Sequence, residues 1–351
     1  VIGRTNTPEF SMRGTTDNLI HGRTYNPWND WASPGGSSGG ASAAVMSGMG
    51  SLAHGNDIAG SLRIPSTATG ACTVKPGLGR VPAYNPSQTQ ERGLIAQLMS
   101  VQGVIAREIK DVRLGMQSLI NYDPRDPWMV DMPFQSKEIK APIKVGFTKE
   151  TLGEPLHPAI NKALENAIDA LKDAGYVLEE IELPEFEDTA NFSSKTLFGE
   201  IKALHEKDYK NLGSENFNLV AENYFKIISP FEGEDLLLGM AKRSYFFREW
   251  NLFFRKYPLV LTPFLLYPTY EWDRDTQGIE GTKEVLAGMF YAHTMNYMGI
   301  PAGVVSANYN DGLPVGVQII STRFREDIIL NACEEIEKRV GIMAEKLFER
   351  G

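Results

Sequence analysis

Apolar residues recur at helical spacing from Pro158 to Ala174, where Ala159, Ile160, Ala163, Leu164, Ala167, Ile168 and Leu171 share one stripe. Gly175 ends the stripe, and alternation from Tyr176 to Leu183 marks a strand. Ile109 to Ile120 is amphipathic, Ile143 to Phe147 and Leu259 to Leu261 read as strands, and Glu284 to Met298 reads as a helix. Ala302 to Ser306 and Val315 to Ile320 read as further strands, with Glu326 to Val340 as a closing helix. Residues 187–256 form several helices rich in Phe, Tyr and Leu. Strands separated by helices, through short and long crossovers, predict an α/β fold: a single large domain with a mixed β-sheet core sandwiched by α-helices. No linker composition divides residues 1–351, so they are read as one domain, with 187–256 as a helical insertion on the substrate side.

The first hundred residues differ, being rich in Gly, Ser, Pro and Asn with short apolar runs between. Gly40 to Gly48 (GASAAVMSG) reads as a small-residue helix that packs closely on its neighbours, and Ala71 to Lys75 as a short buried strand ended by Pro76-Gly77. Val1 to Asn6 has the look of a buried strand running into a loop, without a polar lead-in, which leads us to expect part of a longer chain.

Composition narrows the function classes. With 42% hydrophobic and 23% charged residues, the 351-residue chain has the make-up of a soluble globular protein with an ample core. Its 35 basic and 44 acidic residues leave a net charge of −9, which argues against a nucleic-acid partner, because phosphate binding needs clustered Lys and Arg. The longest apolar stretch, Tyr257 to Tyr267, is broken by Pro263 and too short to span a bilayer, so no membrane partner is expected. Cys72 and Cys333 have no metal-ligand spacing around them; free buried thiols in a reducing cytoplasm are expected, with no metal and no cofactor. A homodimer is the expected assembly.

Candidate chemistry is concentrated in two serine loops. Ser33-Pro34-Gly35-Gly36-Ser37-Ser38-Gly39-Gly40 is followed, 24 residues on from Ser37, by Ser61 in Gly55-Asn56-Asp57-Ile58-Ala59-Gly60-Ser61-Leu62-Arg63-Ile64-Pro65. Glycine beside serine lets the backbone approach a ligand closely. A helix and a returning strand between the loops can bring both to one end of a sheet, where α/β proteins bind ligands. The residues alone leave several readings open. The first loop is a flexible linker, although its flanks are apolar and well patterned. It is a nucleophile elbow, since Gly35-x-Ser37-x-Gly39 fits GxSxG, although no buried strand precedes it and none of His54, His157, His205 and His293 stands out as a partner. Or it is a phosphate cradle at a helix N-terminus, although it lacks the Lys-Ser/Thr ending of a P-loop.

Taken together, GGSSGG, the D-x-x-G-S-x-R-x-P run at Asp57 to Pro65, and Val74-Lys75-Pro76-Gly77-Leu78-Gly79-Arg80-Val81-Pro82 resemble the amidase signature family. The resemblance extends to Gly3-Arg4-Thr5-Asn6-Thr7-Pro8-Glu9-Phe10, Asn26-Pro27-Trp28, Gly299-Ile300-Pro301-Ala302 and Gly312-Leu313-Pro314-Val315-Gly316-Val317-Gln318. It covers nearly the whole chain outside residues 125–255.

The resemblance implies a hydrolase that cleaves a carboxamide or lactam C–N bond through a Ser–Ser–Lys triad. Ser61 would be the nucleophile and Ser37 the bridging serine, behind a cis Gly36–Ser37 bond. The backbone N–H groups of Ile58, Ala59, Gly60 and Ser61 would form the oxyanion hole. Ser38, Asp57 and Arg63 would hold the loops, Arg63 as a buried structural pair and not a substrate clamp. Ser11 and Asn56 are the candidate substrate contacts. Three positions depart from the family pattern. Ala59 stands where Gly is usual and so must keep an ordinary φ; Asn56 replaces a common Thr; Arg4 replaces a Lys that is not the catalytic one. The family's catalytic lysine lies well upstream of GGSSGG, and Lys75 belongs to a later, structural motif. The small-molecule amide itself is not legible. Three functions compete: the amidase component of a glutamine-dependent amidotransferase complex, a non-catalytic family member, and a histidine-dependent esterase.

Overall fold

The computed structural model describes residues 1–350. A short hairpin, β1 (Asp17–Asn18) with β2 (Gly22–Arg23), precedes the first helix, α1 (Gly39–Met46). Then come β3 (Leu52–Asp57), α2 (Arg63–Thr69), β4 (Cys72–Lys75), α3 (Leu94–Met99), β5 (Val101–Ala106) and α4 (Ile109–Leu119). The middle of the chain runs β6 (Lys144–Phe147), α5 (Pro158–Asp173), β7 (Val177–Glu180), α6 (Phe186–Leu212), α7 (Glu215–Ile228), α8 (Gly233–Phe254) and β8 (Leu259–Pro263). It closes with α9 (Gly278–Ala287), α10 (Phe290–Met298), β9 (Ala302–Asn310), β10 (Leu313–Ile320), α11 (Glu326–Val340) and α12 (Met343–Phe348).

Eight of these strands form one mixed sheet in the order β3-β5-β4-β9-β10-β8-β6-β7. Pairing is antiparallel from β3 to β8 and parallel from β8 through β6 to β7. The period-2 alternation of a strand explains the two cores. Leu259, Leu261 and Val305 face one way, onto α4, α5 and α11; Val260 and Val304 face the other, onto α6, α8 and α10. Strands covered on both sides need apolar residues at every position, which is why β8 and β10 are buried throughout.

The expected α/β sandwich is therefore the observed one, with differences at particular elements. Glu284 to Met298 is two helices, since the chain breaks between α9 and α10 at Gly288-Met289. The sequence pattern does not reveal β5, because its Gln102 and Gly103 interrupt the apolar run. No strand runs directly into the first serine loop: the hairpin ends at Arg23, and residues 26–32 contribute only isolated bridges.

Candidate active site

The second serine loop leaves the end of β3 and enters α2, and its geometry is set by Asp57. This carboxylate accepts from the N–H of Gly60 (2.7 Å) and of Leu62 (3.2 Å), folding residues 57–62 into a tight turn. The turn needs one left-handed residue, and it is Gly60, with φ 109°. A Cβ there would stand 2.8 Å from both Ala292 Cβ and Ile64 Cδ1. Ala59 is not among the residues with positive φ, so the family's usual Gly is dispensable at that position.

Asp57 is in turn held by Arg63, which donates to it at 3.0 and 3.1 Å, and both side chains are fully buried. Arg63 also donates to Gln318 (2.8 Å), the Ala292 carbonyl (3.2 Å) and Asn296. Asn296 closes the network by donating to the Asp57 and Met99 carbonyls, each at 2.9 Å. Burial alone would raise the Asp57 carboxyl pKa, but the Arg63 guanidinium outweighs it and keeps the pKa below the usual carboxylate range. All three guanidinium nitrogens of Arg63 are thus engaged inside the protein.

The first serine loop is pinned from three sides. Asn26 donates to the Ser33 carbonyl (3.0 Å) and to the Ala68 carbonyl at the end of α2 (2.9 Å). Thr16 donates to the Gly35 carbonyl at 2.8 Å. The Gly36–Ser37 peptide is cis, and Gly36 lies so close to the neighbouring chain that a Cβ would be 2.4 Å from the Arg13 carbonyl. Ser38 then joins the two loops: its N–H donates to the Ser61 carbonyl (3.2 Å) and its hydroxyl to the Asn56 carbonyl (3.4 Å). Ser37 and Ser61 are both buried, at 6% and 8% exposure. Neither hydroxyl makes a hydrogen bond among the described residues.

Ser61, Gly36, Ile58 and Ala59 form the floor of a cavity of about 60 Å³. Ser11, Met12, Leu286 and Met289 line its sides. Leu197, Phe198 and Ile201 of α6 and Tyr224 of α7 close it from the helical block. Of the N–H groups expected as oxyanion donors, that of Gly60 is already taken by Asp57. Those of Ile58, Ala59 and Ser61 have no partner among the described residues. Ser11 reaches the cavity wall, with φ 56°. Asn56 does not: its amide donates to Ser100 (2.8 Å) and the Val101 carbonyl (3.1 Å), turned toward β5.

Lys75 is fully buried on β4, and its ammonium donates to the Pro76 carbonyl at 2.9 Å and makes no hydrogen bond to either serine. Burial, with Arg63 adding to it, pushes its pKa down to about 7. The histidines separate clearly. His157 caps α5 by accepting from Ala159 (3.2 Å), His205 is 3.8 Å from Asp208 on the surface, and His54 sits on β3. Only His293, buried on α10, lines the cavity, and burial together with Arg63 lowers its pKa to about 4. No group of metal-binding side chains occurs among the described residues.

Asn296, Gln318 and His293 also lie at these loops: no motif contains Asn296, Gln318 ends a motif that gives it no role, and His293 is not singled out among the histidines. The available signal is a polar side chain inside an apolar stretch: Asn296 between Met295 and Tyr297, and Gln318 between Val317 and Ile319.

The family model described as Amidase matches residues 1–330. The chain is 40% identical over 350 residues to an indoleacetamide hydrolase of Bradyrhizobium japonicum, covering 99% of this chain and 75% of the relative. It is 28% identical to a glutamyl-tRNA(Gln) amidotransferase subunit of Methanosarcina acetivorans, covering 96% of this chain and 75% of that one. Among solved structures, a bacterial aryl acylamidase of the amidase signature family superposes with a TM-score of 0.79 at 26% identity, covering 98% of this chain and 74% of that one. A 6-aminohexanoate cyclic dimer hydrolase superposes with a TM-score of 0.80 at 25% identity, covering 96% and 74%. The serine loops, the sheet that carries them and these likenesses agree: the chain belongs to the amidase family and is an amide hydrolase.

Proposed function

We propose that the chain hydrolyses an arylacetamide of the indoleacetamide type through an acyl-enzyme on Ser61. The observation that carries the reading is the Ser38 joint, which holds the residue after Ser37 against the Ser61 carbonyl at the floor of the cavity. Ser61 Oγ attacks the amide carbon while its proton passes to Ser37, whose own proton goes to a neutral lysine of the kind the family uses. The oxyanion is received by the free N–H groups of Ile58, Ala59 and Ser61; loss of one such donor costs about 10²–10³ in rate. Collapse breaks the C–N bond, Ser37 returns a proton to the leaving ammonia, and water releases the carboxylate from Ser61.

The 40% identity to an indoleacetamide hydrolase, against 28% to an amidotransferase component, supports hydrolysis over ammonia delivery to a partner. We read residues 187–256 as the substrate-side insertion, a reading supported by the contribution of α6 and α7 to the cavity wall. Most aromatics of that block are core: Phe246, Trp250 and Phe254 pack under α10, and only Phe198 and Tyr224 reach the cavity. The free thiols Cys72 and Cys333 support a reducing, cytoplasmic setting. The exposed Leu237, Leu238 and Leu252 on α8 support a homodimer.

The direct test is release of ammonia and indole-3-acetic acid from indole-3-acetamide, followed by chromatography. Turnover that disappears in Ser61→Ala is the expected result. Turnover of glutamine in preference to indole-3-acetamide would overturn the substrate assignment.

A further inference from the structure

His293 is a titratable side chain in the cavity wall that the proposed hydrolysis does not use; the wall also holds Tyr224 and an Arg13 already paired with Asp275 and Asp273. His293 is 5% exposed, and its ring nitrogens make no hydrogen bond among the described residues. Buried polar groups are almost always paired, so an unpaired one aimed into a ligand cavity calls for a partner from the ligand. Its position is firmly set. The ring lies 6.1 Å from that of Phe198, and the adjacent Ala292 carbonyl is bonded to Arg63. One helical turn on, Asn296 donates to the carbonyl of Asp57.

The chemistry of the ring is also defined. With its pKa lowered to about 4 by burial and by Arg63, the imidazole is neutral near pH 7 and carries one N–H donor and one bare nitrogen acceptor. No hydrogen bond joins its ring to Ser61 among the described residues, so the geometry does not pair the two as base and nucleophile. What is left is recognition. Apolar Met12, Leu197, Ile201, Leu286 and Met289 line the cavity with His293, and the polar members of the lining are Ser11, Tyr224 and the ion-paired Arg13. A mostly apolar pocket fixes the orientation of its ligand through its few unpaired polar groups.

We propose that His293 is the polar anchor of the acyl pocket, accepting a hydrogen bond from a ring N–H of the arylacetamide whose carbonyl sits at Ser61. This rests on the reading of the chain as an arylacetamide hydrolase. The cavity of about 60 Å³ holds only a few heavy atoms, so an aromatic ring enters by displacing the flexible Met12 and Met289 side chains, after which it meets His293. The anchor makes the enzyme selective for heteroaromatic acetamides over hydrocarbon ones of the same size.

The test compares kcat/KM for indole-3-acetamide and 1-naphthaleneacetamide in the full chain and in His293→Phe and His293→Gln. The parent protein is expected to prefer the indole by about 10–100-fold, the discrimination a single hydrogen bond inside a closed pocket provides. His293→Phe is expected to bring that ratio near unity with the loss carried by KM, and His293→Gln to restore part of it. An unchanged ratio in both variants overturns the anchor while leaving the arylacetamide reading intact. Absence of turnover of either amide by the parent protein, with another amide accepted, overturns that reading and the anchor with it. Because the readout is a ratio, a merely structural role for His293, which slows both substrates alike, also contradicts the proposal.

Discussion

The floor and the roof of the cavity are built from different interactions. On the floor, Asp57, Arg63, Asn296, Gln318 and Ser38 hold the two serine loops through directional hydrogen bonds, most of them between fully buried groups. Across the cavity, α6 and α7 are held by apolar and aromatic packing: Phe198 against Tyr224 at 5.5 Å, Tyr209 against Phe217 at 5.5 Å, and Phe10 against both of the latter rings. A buried polar network permits one arrangement and costs heavily when broken. An apolar wall accepts volume-conserving exchange for about 1 kcal/mol. Under the proposed mechanism, chemistry is therefore fixed on the floor, and substrate range is free to change in the roof.

The largest effect that should separate the two is Ser61→Ala, expected to lower kcat by about 10⁴-fold or more with no loss of stability, read by ammonia release and a urea melt. Substantial turnover in that variant would break the comparison at its base. Asp57→Ala should cost about 3–5 kcal/mol in urea unfolding, because it strands the Arg63 guanidinium in the interior. A loss no larger than that of a surface substitution would show the floor to be adaptable.

Lys75 sharpens the floor side through pH. Its folded pKa, about 7, lies below the ordinary value of 10.5, so between these values the unfolded chain holds a proton that the folded chain does not. Stability then rises with pH across that window. Relative to Lys75→Met, the parent protein should gain up to about 1.4 kcal/mol per pH unit from pH 7 to 10.5. A flat difference curve would show Lys75 to be charged in the fold. A structural Lys75 also predicts that Lys75→Met still labels at Ser61. The smallest effect belongs to the roof: Phe198→Leu should raise KM several-fold and leave kcat within about twofold, as expected for a wall that binds without reacting. A collapse of kcat in that variant would erase the distinction between floor and roof.

The fold was legible where periodicity was strong. The α5 stripe, the turn at Gly175 and the apolar runs of β8 to β10 led to the α/β sandwich, because both faces of the central strands must be apolar. The serine loops were legible as motifs, and the ordinary φ required at Ala59 is met since Gly60 takes the left-handed turn. What sequence did not convey was partnership at a distance. The engagement of the Gly60 N–H by Asp57, the turning of Asn56 toward Ser100, and the arrival of His293 and Asn296 from more than 200 residues away depend on how α10 docks on the loop. The aromatics of 187–256 were ambiguous for a related reason: helical spacing alone does not say which ring faces the core and which the cavity.

The central claim is that the two serine loops activate Ser61. Fluorophosphonate labelling, read by intact mass and peptide mapping, tests it most directly. The account predicts a single adduct, on Ser61, that is absent in Ser61→Ala and weakened in Ser37→Ala. An adduct on any other residue, or labelling that persists in Ser61→Ala, would contradict it.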